Sequence, residues 1–66
     1  MMAKTKKIET KEQIIKRLNV GDRVLSASGK LLTVSLVVHK ANRTIIIFDG
    51  DMEIDFDPYF RVNIAV

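Results

Sequence analysis

The chain of 66 residues has no cysteine, no tryptophan, one proline and one histidine. Without cysteine it can form no disulfide and offers no thiolate to a metal. A single imidazole, that of His39, does not supply the ligand set of a zinc site. No apolar run approaches the ~20 residues that span a bilayer, and none has the layout of a signal peptide. We therefore expect a cytoplasmic protein with no metal, no cofactor and no membrane partner.

Catalytic motifs are missing as well. No nucleophile, histidine and acid are arranged as a catalytic set, and nothing indicates the cleft in which paired carboxylates would acquire separate pKa values. A calcium loop starting at Asp49 would need glycine where Ile54 stands and a bidentate glutamate where Phe60 stands. We therefore predict that the protein is not an enzyme and that its carboxylates hold no metal.

The small size limits how the chain can become stable. A chain this short buries only ~60% of its unfolded surface, and small domains usually add disulfides, a metal or self-association. Its hydrophobic fraction, 47%, is enough for a compact core. Because disulfides and a metal are excluded, we expect the stability to come from good packing or from a homo-oligomer.

Charge is sorted along the sequence. Residues 1–17 contain six basic and two acidic side chains, a local +4, whereas residues 49–57 contain five acidic side chains and no basic one. Although the net charge is only +3, residues 1–17 are strongly positive and residues 49–57 are strongly negative.

The N-terminal part is predicted as a flexible basic arm over 1–8 and a short helix over 9–19. Thr10 is in position for an N-cap and Gln13 has the spacing of a capping box. The apolar residues recur at helical spacing: they are Ile14, Ile15 and Leu18. A helix of two turns is unstable by itself, so we expect it to dock on the rest of the chain.

After Gly21 the apolar pattern changes to a period of two, which predicts strands. Asp49-Gly50 is the strongest hairpin signal, and Pro58 ends the strand that follows it. Five strands result, over 22–27, 31–38, 44–48, 51–57 and 61–66. In the second of these, the even positions are predicted to form one apolar face: Leu32, Val34, Leu36 and Val38.

Residues 51–57 alternate strictly between acidic and apolar side chains, which places the carboxylates on one face of a strand. A two-residue loop at Asp49-Gly50 would put Ile46 and Phe48 beside these acids, and a three-residue loop would put Ile45 and Ile47 there. Two large apolar residues share the acidic face in either register. We expect the N-terminal helix, a second subunit or a partner to cover this face.

Five short strands joined by tight turns, with a one-turn element before the last, resemble an SH3-like barrel of the KOW or Tudor type. The resemblance covers 20–66. The residues that carry it are Gly21-Asp22-Arg23-Val24, Ser28-Gly29, Phe48-Asp49-Gly50-Asp51 and Pro58-Tyr59-Phe60. It implies a mainly β fold, a five-stranded SH3-like barrel with a short N-terminal helix. Tudor domains read methylated side chains with an aromatic cage, and four aromatic residues without tryptophan do not place such a cage.

The basic side chains predict association with nucleic acid, DNA or RNA, in transcription or translation, because cations neutralise phosphates and release counterions. Tyr59 and Phe60 are candidates for stacking on a base. A solubilising tail is the alternative explanation for the arm. The predicted nucleic-acid-binding residues are Lys4, Lys6, Lys7, Lys11, Lys16, Arg17, Arg23, Lys30, Lys40 and Arg43.

The acidic strand supports a second hypothesis, a protein-interaction or inhibitor module of the phage or plasmid type. A row of carboxylates with apolar neighbours suits a protein partner with a basic surface. A solvated edge that deters aggregation is the plainer interpretation. The predicted protein-binding residues are Asp51, Glu53, Asp55 and Asp57.

Overall fold

A computed structural model describes residues 8–66, so most of the predicted arm, including Lys4, Lys6 and Lys7, lies outside the described residues. These described residues form one antiparallel sheet of six strands in the order β1-β6-β2-β3-β4-β5. The prediction of a mainly β fold is confirmed. The strands are β1 Thr10–Ile14, β2 Arg23–Leu25, β3 Leu31–His39, β4 Thr44–Phe48, β5 Met52–Phe56 and β6 Arg61–Ala65.

The predicted closed, five-stranded barrel is wrong, because the sheet has a sixth strand and two ends. Strand β1 pairs with β6 over five residue pairs, from Thr10 with Ala65 to Ile14 with Arg61. The other side of β6 pairs with β2. Both edges of β6 are therefore occupied, and β5 is left as the opposite edge of the sheet.

The predicted N-terminal helix over 9–19 is also wrong. Its residues form β1 and a single 3₁₀ turn, Ile15–Arg17. Instead of forming a capping box, Gln13 accepts a hydrogen bond on Oε1 from the N–H of Ile14, at 3.1 Å. A two-turn helix is marginal in water, whereas pairing with β6 gives this segment's backbone groups cross-strand partners.

The core lies on one face of the sheet and includes part of the predicted helical stripe. Ile15 is fully buried and Leu18 is 3% exposed, so these two residues pack inward although no helix carries them. Phe48 meets Phe56 edge to face, with ring centroids 6.4 Å apart. The buried apolar residues are Ile15, Leu18, Val24, Val34, Ile46, Phe48 and Ile64.

Strand β3 changes face in its middle. The pairing with β4 shifts between Val34 and Leu36, which is the signature of a β-bulge. Val34 is buried, but Leu36 and Val38 are 47% and 36% exposed. The prediction that Leu36 and Val38 share a face with Val34 is therefore wrong, because the extra residue, Ser35, reverses the alternation.

The β4–β5 hairpin uses the three-residue loop. Phe48 pairs with Met52, and Ile46 pairs with Ile54. Asp49 and Gly50 both have positive φ, 52° and 84°, as a type I′ turn requires. Ile45 and Ile47 consequently lie on the same face as the carboxylates of β5.

Candidate nucleic-acid interface

A pocket of about 220 Å³ opens at one end of the sheet, between the β3–β4 turn and the β5–β6 turn. Two lysines, a histidine and a tyrosine contribute to its lining, and none of the described residues that line it is acidic. The lining residues are Lys16, His39, Lys40, Ala41, Thr44, Pro58 and Tyr59. The pocket can therefore offer cations and an aromatic ring to one ligand.

The 3₁₀ turn places Lys16 in this pocket. The N–H of Ile15 donates to the carbonyl of Phe60 at 2.9 Å, and the N–H of Lys16 donates to the carbonyl of Pro58 at 2.8 Å. Burial of the Ile15 side chain holds the same turn against the core. The backbone of Lys16 is thus tied to the β5–β6 turn, which is distant in sequence.

Lys16 and Tyr59 are in contact through their side chains. The Lys16 Nζ donates to the Tyr59 hydroxyl at 3.3 Å and lies 5.3 Å from the centre of the ring, within the range of a cation–π interaction. The Asp57 carboxylate accepts the backbone N–H of Tyr59 at 2.8 Å. Even so, 63% of Tyr59 is exposed to solvent.

Phe60 has a different role from its neighbour. Its ring stacks on that of Phe56, with centroids 5.8 Å apart and an interplanar angle of 25°. It does not line the pocket. Of the two aromatic residues proposed for base stacking, only Tyr59 faces the pocket.

The β3–β4 turn and the strand ends beside it supply other residues that line the pocket. The N–H of Lys40 donates to the carbonyl of Arg43 at 2.7 Å, which closes the turn. His39 Nδ1 lies 3.4 Å from the hydroxyl oxygen of Thr44, a buried side chain. His39 is exposed at the pocket, and Thr44 was not among the residues singled out from the sequence. The adjacent Lys40 was a local signal, but the meeting with Tyr59 depends on the path of the whole chain.

The other predicted basic residues within 8–66 do not line this pocket. Lys11 and Arg23 are exposed on β1 and β2, and Arg17 is exposed in the 3₁₀ turn. Lys30 precedes β3 and Lys40 follows it, so about 30 Å of strand separates them. Arg43 donates to the carboxylate of Asp55. The structure therefore brings together only Lys16 and Lys40 from the described part of the predicted set.

The acidic strand has its own surface, on the outward face of β3, β4 and β5. Cross-strand pairing produces two rows, Leu36–Ile47–Glu53 and Val38–Ile45–Asp55. Asp51 lies in the preceding turn and Asp57 in the following one. The predicted helix that would cover this face does not form. Two of the apolar side chains in these rows are more than one-third exposed.

Residues 8–66 contain neither a metal-binding cluster nor a membrane-spanning helix. No group of three or more metal-ligating side chains is close enough to hold an ion. No helix in this part of the chain is long and apolar enough to cross a membrane.

Comparison of the chain with protein-family models, with curated proteins and with solved structures found no match.

Proposed function

We propose that this chain is a small, non-enzymatic binding module that associates with nucleic acid in the cytoplasm, in a transcription or translation setting. The proposal depends on the pocket that is lined by Lys16, Lys40 and the exposed ring of Tyr59. Cations that approach phosphates release counterions, and an exposed aromatic ring beside them is the usual partner of a base. The basic arm adds charge to the same molecule.

The strand order supports the same proposal at the level of the fold. Without β1, the sheet reads β6-β2-β3-β4-β5, in which four consecutive strands form a meander and the last strand returns beside the first. These five strands are the ones from which the SH3-like resemblance was drawn, and the sheet they form is open rather than closed. Fold likeness is an analogy and does not define function, so the proposal depends on the pocket.

A salt titration tests the proposal. Binding of the whole chain to labelled duplex and single-stranded DNA and RNA is measured by fluorescence anisotropy between about 50 and 200 mM salt. We expect affinity to fall as salt rises, with a logarithmic slope near −0.7 for each single-strand phosphate neutralised. Absence of binding to all four nucleic acids at the lowest salt overturns the proposal.

The outward face of β3, β4 and β5 supports a second function, binding of a protein with a basic surface. Leu36 is 47% exposed in this face, although its neighbours in the row are Ile47 and the carboxylate of Glu53. Exposed apolar groups beside acids suit a partner with an apolar centre and a basic rim. A solvated edge has no need of the apolar groups.

Charge reversal separates this function from the first. The double substitution Glu53→Lys and Asp55→Lys should abolish capture of a protein partner and leave nucleic-acid affinity equal or higher. The double reversal Glu9→Lys and Glu12→Lys, at exposed positions outside β5, changes the net charge by the same amount and should retain the partner. An unchanged partner list with the double variant argues against this second function. A sedimentation run on the wild type reveals whether the partner is a second copy.

A further inference from the structure

Tyr59 is an exposed residue with contacts to two neighbouring side chains. Its backbone N–H is held by Asp57, and its hydroxyl accepts a hydrogen bond from Lys16, whose own backbone is bound to Pro58. With 63% of its surface accessible, Tyr59 has room for a flat ligand to stack on its ring.

The chemistry around the ring selects a nucleotide. Lys16 in the 3₁₀ turn and Lys40 in the β3–β4 turn line the same cavity, and no acidic side chain of the described chain lines it. The Lys16 Nζ lies 5.3 Å from the centre of the Tyr59 ring, so a base stacked on this ring would carry its phosphate into a cavity that both lysines line. A base inside a duplex is already stacked on its neighbours, so its face is not available to a protein ring, whereas the bases of a single strand can be splayed apart.

We propose that this pocket binds one nucleotide unit of a single-stranded nucleic acid, with the base stacked on Tyr59 and the neighbouring phosphate between Lys16 and Lys40. The inference rests on the proposed association with nucleic acid and adds the strand preference and the contact residues. Stacking uses a face that every base possesses, so the pocket accepts different bases. Phosphate contacts from elsewhere on the chain fix the position of the strand.

The wild-type protein carries its own reporter for this contact. The chain has one tyrosine and no tryptophan, so its intrinsic fluorescence arises from Tyr59 alone. Stacking of a base on the ring should quench this emission. We expect saturable quenching with unlabelled single-stranded oligothymidylate or oligouridylate, after correction for absorbance, and little quenching with a duplex of the same length. Binding of the single strand without quenching overturns the inference.

Substitutions of Tyr59 separate the ring from its hydroxyl. Tyr59→Leu keeps an apolar side chain but removes the aromatic face, and should weaken single-strand binding about 5- to 150-fold. Tyr59→Phe keeps the face and should bind within about 3-fold of wild type, because only the contact with Lys16 is lost. Thermal unfolding of each variant verifies that it folds. Equal affinity of the leucine variant and the wild type contradicts the inference.

Two lysines at opposite ends of β3 provide a matched pair for the phosphate contact. Lys40→Ala should lower the salt slope for single strands by about 0.7, the effect of one lost phosphate contact. Lys30→Ala removes the same charge about 30 Å away along the strand and should leave the slope unchanged. Equal effects of the two substitutions would mean that the lysines act only through net charge, and the pocket assignment fails.

The failures of the two proposals are distinguishable. No binding to any nucleic acid at low salt overturns both the association and the pocket. Salt-dependent binding with no strand preference, no quenching and no effect of Tyr59→Leu overturns the pocket alone. In that case phosphate neutralisation remains as the mode of association.

Discussion

Arg43 donates from Nε to the carboxylate of Asp55 across the β4–β5 pair, with 2.8 Å between the two atoms. This contact depends on the three-residue loop, in which Asp55 pairs with Ile45. In the two-residue register Asp55 would pair with Thr44, and Arg43 would lie on the opposite face. The ion pair is therefore a marker of the register and of the face that carries the acids.

Removal of this ion pair should have a small effect on stability. Both side chains are at least half exposed, and exposed pairs contribute about 0.2 to 1 kcal/mol. We expect Arg43→Ala and Asp55→Ala each to lower the free energy of unfolding by less than about 1 kcal/mol. A double-mutant cycle in urea gives the coupling, which should shrink in about 1 M salt. A coupling above about 2 kcal/mol would exclude an ordinary exposed pair.

The sequence predicted the second half of the sheet well because the signals there are local. Four of the five predicted strands lie within a residue or so of the observed bounds, and β4 matches at both ends. The alternation in β5 and the Asp49-Gly50 turn are encoded by adjacent residues. The three-residue loop was one of the two registers left open, and it is the one observed.

The first half could not be predicted in the same way, because tertiary pairing overrides a weak local preference. The segment from Thr10 to Leu18 carries a helical stripe, but β6 offers it five cross-strand pairs. The bulge at Ser35 could not be predicted from the sequence either. Nothing in residues 31–38 shows that Gly50, on a neighbouring turn, will donate its N–H to the Ser35 hydroxyl at 2.8 Å.

The candidate site was also only partly predictable from the sequence. The individual basic residues and Tyr59 were identified from the sequence, whereas their grouping was not. Lys16, Lys40 and Tyr59 are brought together by the 3₁₀ turn, the β3–β4 hairpin and the β5–β6 turn. Only the path of the chain through the sheet decides that Lys40 belongs to this group and Lys30 does not.

The two faces of β4 predict unequal costs for equal truncations. Ile46 is fully buried, whereas Ile45 next to it lies on the outward face and is only partly covered. Ile46→Ala should lower the free energy of unfolding by about 2 to 5 kcal/mol, through lost burial and a cavity. Ile45→Ala should cost distinctly less. Urea unfolding of the two variants tests the register, and similar losses would contradict the assignment of faces.

The Asp49 side chain predicts a difference between two conservative changes. Its Oδ1 accepts the N–H of Thr33 at 3.0 Å, and its φ of 52° lies in the left-handed region. Asparagine retains an acceptor oxygen and tolerates this backbone, so Asp49→Asn should cost less than about 1 kcal/mol. Asp49→Ala loses both features and should cost about 2 kcal/mol. Thermal unfolding of the pair measures the difference, and equal midpoints would contradict the role of the loop.

The basic arm and the pocket should contribute to nucleic-acid binding in different ways. Contacts to phosphates supply affinity and salt dependence without reading a base. Simultaneous substitution of Lys4, Lys6 and Lys7 by alanine should therefore lower the single-strand salt slope by up to about 2. It should leave the quenching of Tyr59 at saturation unchanged, because the base still reaches the ring.

The two measurements on this triple variant have distinct meanings. An unchanged slope would show that the arm makes no phosphate contact and would favour its interpretation as a solubilising tail. Loss of the quenching at saturation would show that the arm is required to seat the base, which contradicts a pocket formed by Lys16, Lys40 and Tyr59. A lower slope with full quenching is the result expected if the arm only attracts the strand and the pocket holds one of its nucleotides.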